Sequence, residues 1–179
     1  SHSLGMTVGL STSVLEFPKE FGPVLPGSAQ VHQLGSLTVG PGPTIKPDNK
    51  VLAELISTRI RAFLETYPGL DALYVSVPEF PEWSAHAATA WKQLDARQDL
   101  GDHSLEKLVA AARNRKLIAS GDRGEMSIRG NLVGMAFFCR LFDDGELLKK
   151  ADGSKVELVI RQPDPALFPI LDRVLPRNA

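Results

Sequence analysis

The segment Ala72–Val77, ALYVSV, most constrains the fold of this chain. Its residues are nearly all apolar, which suits a strand covered on both faces, as strands in parallel sheets are. Pro68 and Gly69 precede the segment and Pro78 follows it, so its ends are well marked. We therefore expect a buried strand, with helical segments on either side in the chain.

The rest of the chain alternates between strand-like and helix-like patterns. The clearest helix is Asp48–Tyr67, where apolar residues recur at spacings of three and four and Asp48 is a suitable N-cap. Further strands are predicted at Met6–Ser11, Ser36–Val39 and Lys155–Arg161, and further helices at Ser84–Arg97, Ser104–Lys116, within Glu125–Lys150 and at Pro165–Leu175.

Strands separated by helices predict an α/β fold with a mainly parallel sheet and crossover helices. About four strands are visible, half of what an eightfold barrel requires. The chain is therefore expected to be either a small open α/β domain or a partial (β/α) barrel. We expect residues 1–5, SHSLG, to be an expression-tag remnant and residues 6–179 to form a single domain, alone or as part of a larger barrel.

Composition argues against several classes of partner. The 20 basic and 21 acidic residues nearly cancel, so no nucleic-acid partner is expected. No apolar run approaches the roughly 20 residues that span a bilayer, so we expect a soluble chain with no membrane partner and an unassigned location. His32, His86 and His103 are far apart and Cys139 is the only cysteine, so neither a metal nor a cofactor is predicted.

Glu79 lies just beyond the carboxyl end of the predicted strand ALYVSV, in the sequence PEFPEW. Both barrels and open α/β sheets place their chemistry in the loops at this end of the strands. Phe80 and Trp83 would reduce the solvation of Glu79, which favours the protonated form that a general acid needs. This is the most promising catalytic position in the chain.

The stretch ETYPGLDALYVSVPEFPEW, within Leu64–Trp83, resembles segments of (β/α)8-barrel glycoside hydrolases. In that superfamily a glutamate at a strand end commonly acts as the acid, and neighbouring aromatic rings stack on sugars. The resemblance therefore implies a carbohydrate substrate, with Glu79 as the acid and with Phe80, Trp83 and Glu82 contacting the sugar.

A second carboxylate is needed, because glycosidases use a pair about 5 Å apart when retaining and about 6.5–9.5 Å apart when inverting. Glu16 follows the first predicted strand, and the sequences LEFP and PEFP match around Glu16 and Glu79. We therefore expect general acid/base hydrolysis by Glu79 and Glu16, if these two residues share a cleft.

The same residues also have a simpler interpretation. A Pro-Glu pair after a strand is common in turns, Glu79 and Glu82 could be solvated, and Trp83 could pack on the following helix. Glu16 follows a weak strand and lies in a long loop. The alternative function is then a noncatalytic α/β binding or assembly module for a carbohydrate or other small molecule, and whether the chain is an enzyme stays open. Parallel strands at an incomplete edge further predict self-association or a missing remainder of a larger chain.

Overall fold

A computed structural model of the chain describes residues 5–30, 37–77, 80–118, 122–143 and 145–175. The regular strands in these ranges are β1 (Gly9–Thr12), β2 (Phe17–Pro18), β3 (Ser28–Gln30), β4 (Thr38–Pro41), β5 (Ala72–Ser76) and β6 (Glu157–Arg161). The α-helices are α1 (Lys50–Thr66), α2 (Ala87–Gln98), α3 (Leu105–Asn114), α4 (Asp122–Leu141) and α5 (Leu171–Val174). Short 3-10 helices occupy Lys19–Val24, Pro81–His86, Glu146–Leu148 and Pro165–Ile170.

Three strands form a parallel sheet in the order β1-β5-β6, with β5 in the centre. Asp71 fixes the amino-terminal end of this sheet. Its carboxylate accepts a hydrogen bond from the Val8 amide at 2.8 Å, and its backbone carbonyl accepts one from the Glu157 amide at 2.9 Å. The predicted parallel pairing of strands separated by helices is thus confirmed for these three strands. Asp71 has a structural role at the end of the sheet opposite the carboxyl ends of the strands.

The two faces of this sheet differ in burial. Side chains alternate between faces along a strand, and the register places Leu10, Leu73 and Leu158 side by side. The face that contains them is largely buried. The opposite face, called the polar face below, carries residues that are exposed or half-buried except for Ala72: Gly9, Ser11, Ala72, Tyr74, Ser76, Glu157, Val159 and Arg161. The prediction that β5 is covered on both faces is therefore wrong for Tyr74 and Ser76.

A second sheet, with the order β2-β4-β3, is antiparallel. The predicted strand Ser36–Val39 overlaps β4, so its assignment to a mainly parallel sheet is wrong, and β2 and β3 were not predicted. The strands of this second sheet are two to four residues long, and β2 ends in Pro18, which an edge strand tolerates because proline lacks an amide donor. The described residues thus contain one parallel and one antiparallel three-stranded sheet. The barrel alternative is wrong for this part of the chain, and the small open α/β alternative agrees with it.

The helix predictions hold with small shifts at the ends. Asn49, rather than Asp48, is the N-cap of α1, and its side chain accepts a hydrogen bond from the Leu52 amide at 3.0 Å. The buried side of α1 consists of Leu52, Ile56, Ile60 and Leu64, at the predicted spacing. None of the helices in the described ranges is both long and apolar enough to cross a membrane.

The described chain divides into two compact units. The first contains residues 5–76 and 141–161, hence both sheets and α1, and the second contains residues 77–140 and 162–175, hence α2, α3, α5 and nearly all of α4. Glu16 belongs to the first unit, whereas Phe80, Glu82 and Trp83 belong to the second. That residues 6–179 form one domain stays a prediction.

Candidate functional site

The loop after β1, which contains Glu16, is held by Arg59 of α1. The Nη1 group of Arg59 donates a hydrogen bond to the backbone carbonyl of Ser13 at 3.0 Å and another to that of Glu16. The guanidinium also lies over the rings of Phe17 and Phe63, 5.9 and 5.5 Å from their centroids. A guanidinium satisfies both carbonyls and packs on both rings at once, so Arg59 fixes the path of this loop.

The Glu16 side chain influences the pKa of Arg59. Burial lowers the pKa of the Arg59 guanidinium from its ordinary value, and the nearby Glu16 carboxylate acts in the opposite direction. Glu16 itself is half-buried. The hydrogen bond from Arg59 to Glu16 is to the backbone carbonyl, and it supports the loop independently of the carboxylate. The catalytic role of Glu16 stays a prediction.

The second set of predicted site residues follows β5. Pro78 and Glu79 lie outside the described residues, so the distance between the Glu79 and Glu16 carboxyl groups is not part of the described geometry. Glu82 is exposed and Phe80 is half-buried. The predicted acid therefore remains a hypothesis based on the sequence.

Trp83 is a core residue of the second unit, with only 1% of its surface exposed. Its ring lies edge-on to Phe80 at a centroid distance of 5.0 Å and is tilted against Phe137 of α4 at 5.7 Å. A ring that stacks on a sugar must present a face to solvent, which Trp83 does not do in this structure. The alternative expectation, packing on the following helix, agrees with this burial, although Phe137 lies on α4 rather than on α2, the next α-helix in the chain.

A close backbone approach positions this aromatic loop. An ideal Cβ atom on Gly130, in the buried part of α4, would lie 2.6 Å from the carbonyl carbon of Phe80, closer still to its oxygen, and 3.2 Å from the nitrogen of Pro81. Only glycine leaves room for this approach. The segment that carries Phe80 and Trp83 therefore packs directly against the α4 backbone at Gly130.

The polar face of the parallel sheet holds a cluster that the sequence analysis missed. Arg161, at the carboxyl end of β6, donates from Nη1 to the Ser11 hydroxyl of β1 at 3.5 Å. Because β5 lies between these two strands, the Arg161 side chain extends across the central strand. Ser76 is the register partner of Arg161, and Tyr74 is that of Ser11, so all four side chains lie on one face.

The Tyr74 ring approaches Gly9 of β1, which lies two positions before its register partner Ser11. A Cβ atom on Gly9 would lie 3.1 Å from Cδ2 of the Tyr74 ring and closer still to Cε2. The available signal was the alternation of polar and apolar residues in Leu73-Tyr74-Val75-Ser76, which is typical of a strand with one exposed face. The high apolar content of the segment masks this alternation.

The described residues contain no group of three or more histidine, cysteine, aspartate or glutamate side chains placed to hold a metal ion. His32 lies outside the described residues, while His86 and His103 are both half-buried. Apart from Glu157, which lies at the amino-terminal end of β6, the chemistry available on the polar face is that of a guanidinium, two hydroxyls and a phenol.

Comparison of the chain with protein-family models, with curated proteins and with solved structures found no match. Any functional inference must therefore come from the side chains described above.

Proposed function

We propose that this chain is a noncatalytic α/β binding module, and that its binding surface is the polar face of the parallel sheet. The observation that carries this proposal is the position of Arg161, which is exposed and extends across β5 to Ser11 at the carboxyl-terminal part of the sheet. In open α/β folds ligands bind at this end of the strands.

The chemistry of the polar face favours a small molecule with a carboxylate or phosphate group. A guanidinium matches the planar geometry of a carboxylate and also pairs well with phosphate, and the hydroxyls of Ser11 and Ser76 can donate to the remaining oxygens. Tyr74 supplies an aromatic surface for the uncharged part of the ligand. A sugar bearing an acidic group satisfies all of these features and agrees with the carbohydrate partner expected from the sequence.

The hydrolase hypothesis has less support in the described geometry. It requires Glu79, which lies outside the described residues, and it assigns a sugar platform to Trp83, which is in the core. General acid/base hydrolysis by Glu79 and Glu16, with Phe80 and Glu82 contacting the sugar, therefore stays a prediction with its own test below.

Thermal unfolding in the presence of matched sugars tests the proposal. Glucose, glucuronate and glucose 6-phosphate share a ring and differ in charge, and inorganic phosphate at equal ionic strength reports the anion alone. A ligand present at ten times its dissociation constant stabilises by about 1.4 kcal/mol, which corresponds to a rise in Tm of about 3–6 °C for a chain of this size. We expect this rise with the charged sugars, and a smaller one with glucose and with phosphate.

Two arginine variants locate the effect. Arg161→Gln should abolish the rise, whereas Arg61→Gln, which changes an exposed arginine of α1, should leave it intact. Equal rises in Tm with all three sugars, or the same rise in Arg161→Gln as in wild type, would show that Arg161 does not bind the charged group of the ligand. A full rise with inorganic phosphate would show that the sugar ring contributes nothing.

A further inference from the structure

The outer edge of β6 has no strand beside it among the described residues. The amide of Glu157 donates to the carbonyl of Asp71, beside β5, so the backbone groups of Glu157, Val159 and Arg161 point toward β5. Those of Leu158 and Ile160 alternate with them and point toward the outer edge. This edge therefore presents two donors and two acceptors of the kind that pair with another strand.

Both ends of this edge are bounded. The amide of Val156 donates to the carbonyl of Leu148 at 2.9 Å, so the position before β6 already has a backbone partner. Gln162, immediately after β6, has a φ of +56°, which ends the extended conformation. The edge available for pairing is therefore limited to Glu157–Arg161.

The sequence of this edge, Glu-Leu-Val-Ile-Arg, is self-complementary about its centre. If two copies pair antiparallel about Val159, Glu157 of each copy faces Arg161 of the other, and Leu158 faces Ile160. Glu157 and Arg161 are both exposed and lie on the polar face. In the single chain Arg161 extends toward Ser11 of β1, so on pairing its side chain would leave Ser11 and turn to the outer edge, where it would meet the opposite charge of Glu157 across the strands. Two such ion pairs would form, related by the twofold axis.

The hydrogen-bond pattern agrees with this register. In an antiparallel pair, residues whose backbone groups point toward the partner strand must lie opposite each other to exchange two hydrogen bonds. Leu158 and Ile160 point outward, and they are opposite each other in the register that is centred on Val159. The same alignment that matches the charges thus matches the backbone donors and acceptors.

We propose that a second copy of this chain binds the β6 edge, forming a twofold-symmetric dimer in which the two parallel sheets join through antiparallel β6 strands. The β1 edge is a poorer site for a second copy, because Gly9–Thr12 contains no charged residue to fix a register. Stable interfaces bury about 1,200–2,000 Å² in total, and a five-residue edge is a short contact, so we expect a weak dimer whose population rises with concentration. This proposal does not rest on the ligand proposed above.

Charge reversal at the two ends of β6 tests the register. Wild type, Glu157→Arg, Arg161→Glu and the double charge swap would be compared by sedimentation velocity from about 10 µM to about 1 mM, a range that covers weak dissociation constants. Each single variant replaces both ion pairs with like charges and should weaken dimerisation about tenfold. The double swap should restore it to within about threefold of wild type, and Arg61→Glu should have no effect.

A cysteine at the twofold axis provides a second measurement. Val159 would face its own copy at a non-hydrogen-bonded position, where Cα atoms are about 4.5 Å apart and a disulfide can close. Val159→Cys should therefore form a covalent dimer on mild oxidation, and Ser11→Cys, on the opposite edge strand, should not. Monomeric wild-type protein at about 1 mM, equal dimerisation of the single charge variants, or equal crosslinking of the two cysteine variants would each overturn the proposal.

Discussion

Gly130→Ala should destabilise the protein although it replaces glycine with the best helix former. The new Cβ atom would lie 2.6 Å from the carbonyl carbon of Phe80, whereas ordinary contact begins at 3.4 Å. At least 0.8 Å of movement, the difference between these two distances, is needed. The opposing atoms belong to backbone rather than to a flexible side chain, so either α4 or the Phe80–Pro81 segment must shift.

The expected change in the free energy of unfolding of Gly130→Ala is the difference between two opposing effects. Overpacking a buried site costs about 1–3 kcal/mol and sometimes more, while alanine returns about 1 kcal/mol of helix propensity. Because the clash is with rigid backbone, we expect the upper end of the first range and a net loss of about 2 kcal/mol. For a chain of this length that loss lowers Tm by about 4–8 °C.

Urea denaturation and thermal unfolding of Gly130→Ala measure this loss. Gly22→Ala is the matched control, because its Cβ would meet only the Ser28 hydroxyl at 3.7 Å and should change Tm little. A Gly130→Ala protein as stable as wild type, or more stable, would refute the reasoning, since the propensity term would then outweigh the clash.

Three further predictions concern single side chains. Arg59→Lys removes the Nη1 group that donates to the carbonyls of Ser13 and Glu16 and the planar group that lies over two rings, and should lower the free energy of unfolding by about 1–3 kcal/mol in urea titrations. Hydrogen bonds from Ser154 hold the pKa of the exposed Asp152 carboxyl below its ordinary value of 3.8. The stability that they provide is present above pH 3.8 and lost as pH falls through the lower folded pKa, so Asp152→Asn should reduce the loss of Tm between pH 5 and pH 2. If the hydrolase hypothesis holds, chromogenic glycosides should be cleaved by wild type and about 100-fold or more slowly by Glu79→Gln; no cleavage by wild type would count against it.

Much of the helical structure could be predicted because its signals are local. The four-residue spacing of Leu52, Ile56 and Ile60 predicts α1. Ser104 is predicted as the start of α3, and its hydroxyl accepts a hydrogen bond from the Lys107 amide at 3.2 Å. The predicted N-cap of α1, Asp48, is one residue away from the observed one, Asn49. Aspartate and asparagine are both good N-caps, so the sequence did not distinguish these neighbours.

The small antiparallel sheet could not be predicted from local patterns. Strands β2 and β3 contain two and three residues, which is too short for an alternating pattern, and a proline within β2 argued against a strand. Their pairing with β4 is a long-range contact that neither strand encodes alone. Local sequence also left open whether the Trp83 ring is exposed or buried. Its burial depends on Phe137, which is 54 positions later in the chain, and on the close approach at Gly130.

The central claim, that the polar face of the parallel sheet binds an anionic small molecule, is tested most directly by amide chemical shifts in two-dimensional NMR spectra during titration with glucuronate. The account predicts saturable shifts that are concentrated at the carboxyl ends of β1, β5 and β6, around Ser11, Ser76 and Arg161, and that disappear in Arg161→Gln. Saturable shifts centred on Glu16 or on Phe80–Trp83 instead, or the absence of saturable shifts, would contradict it.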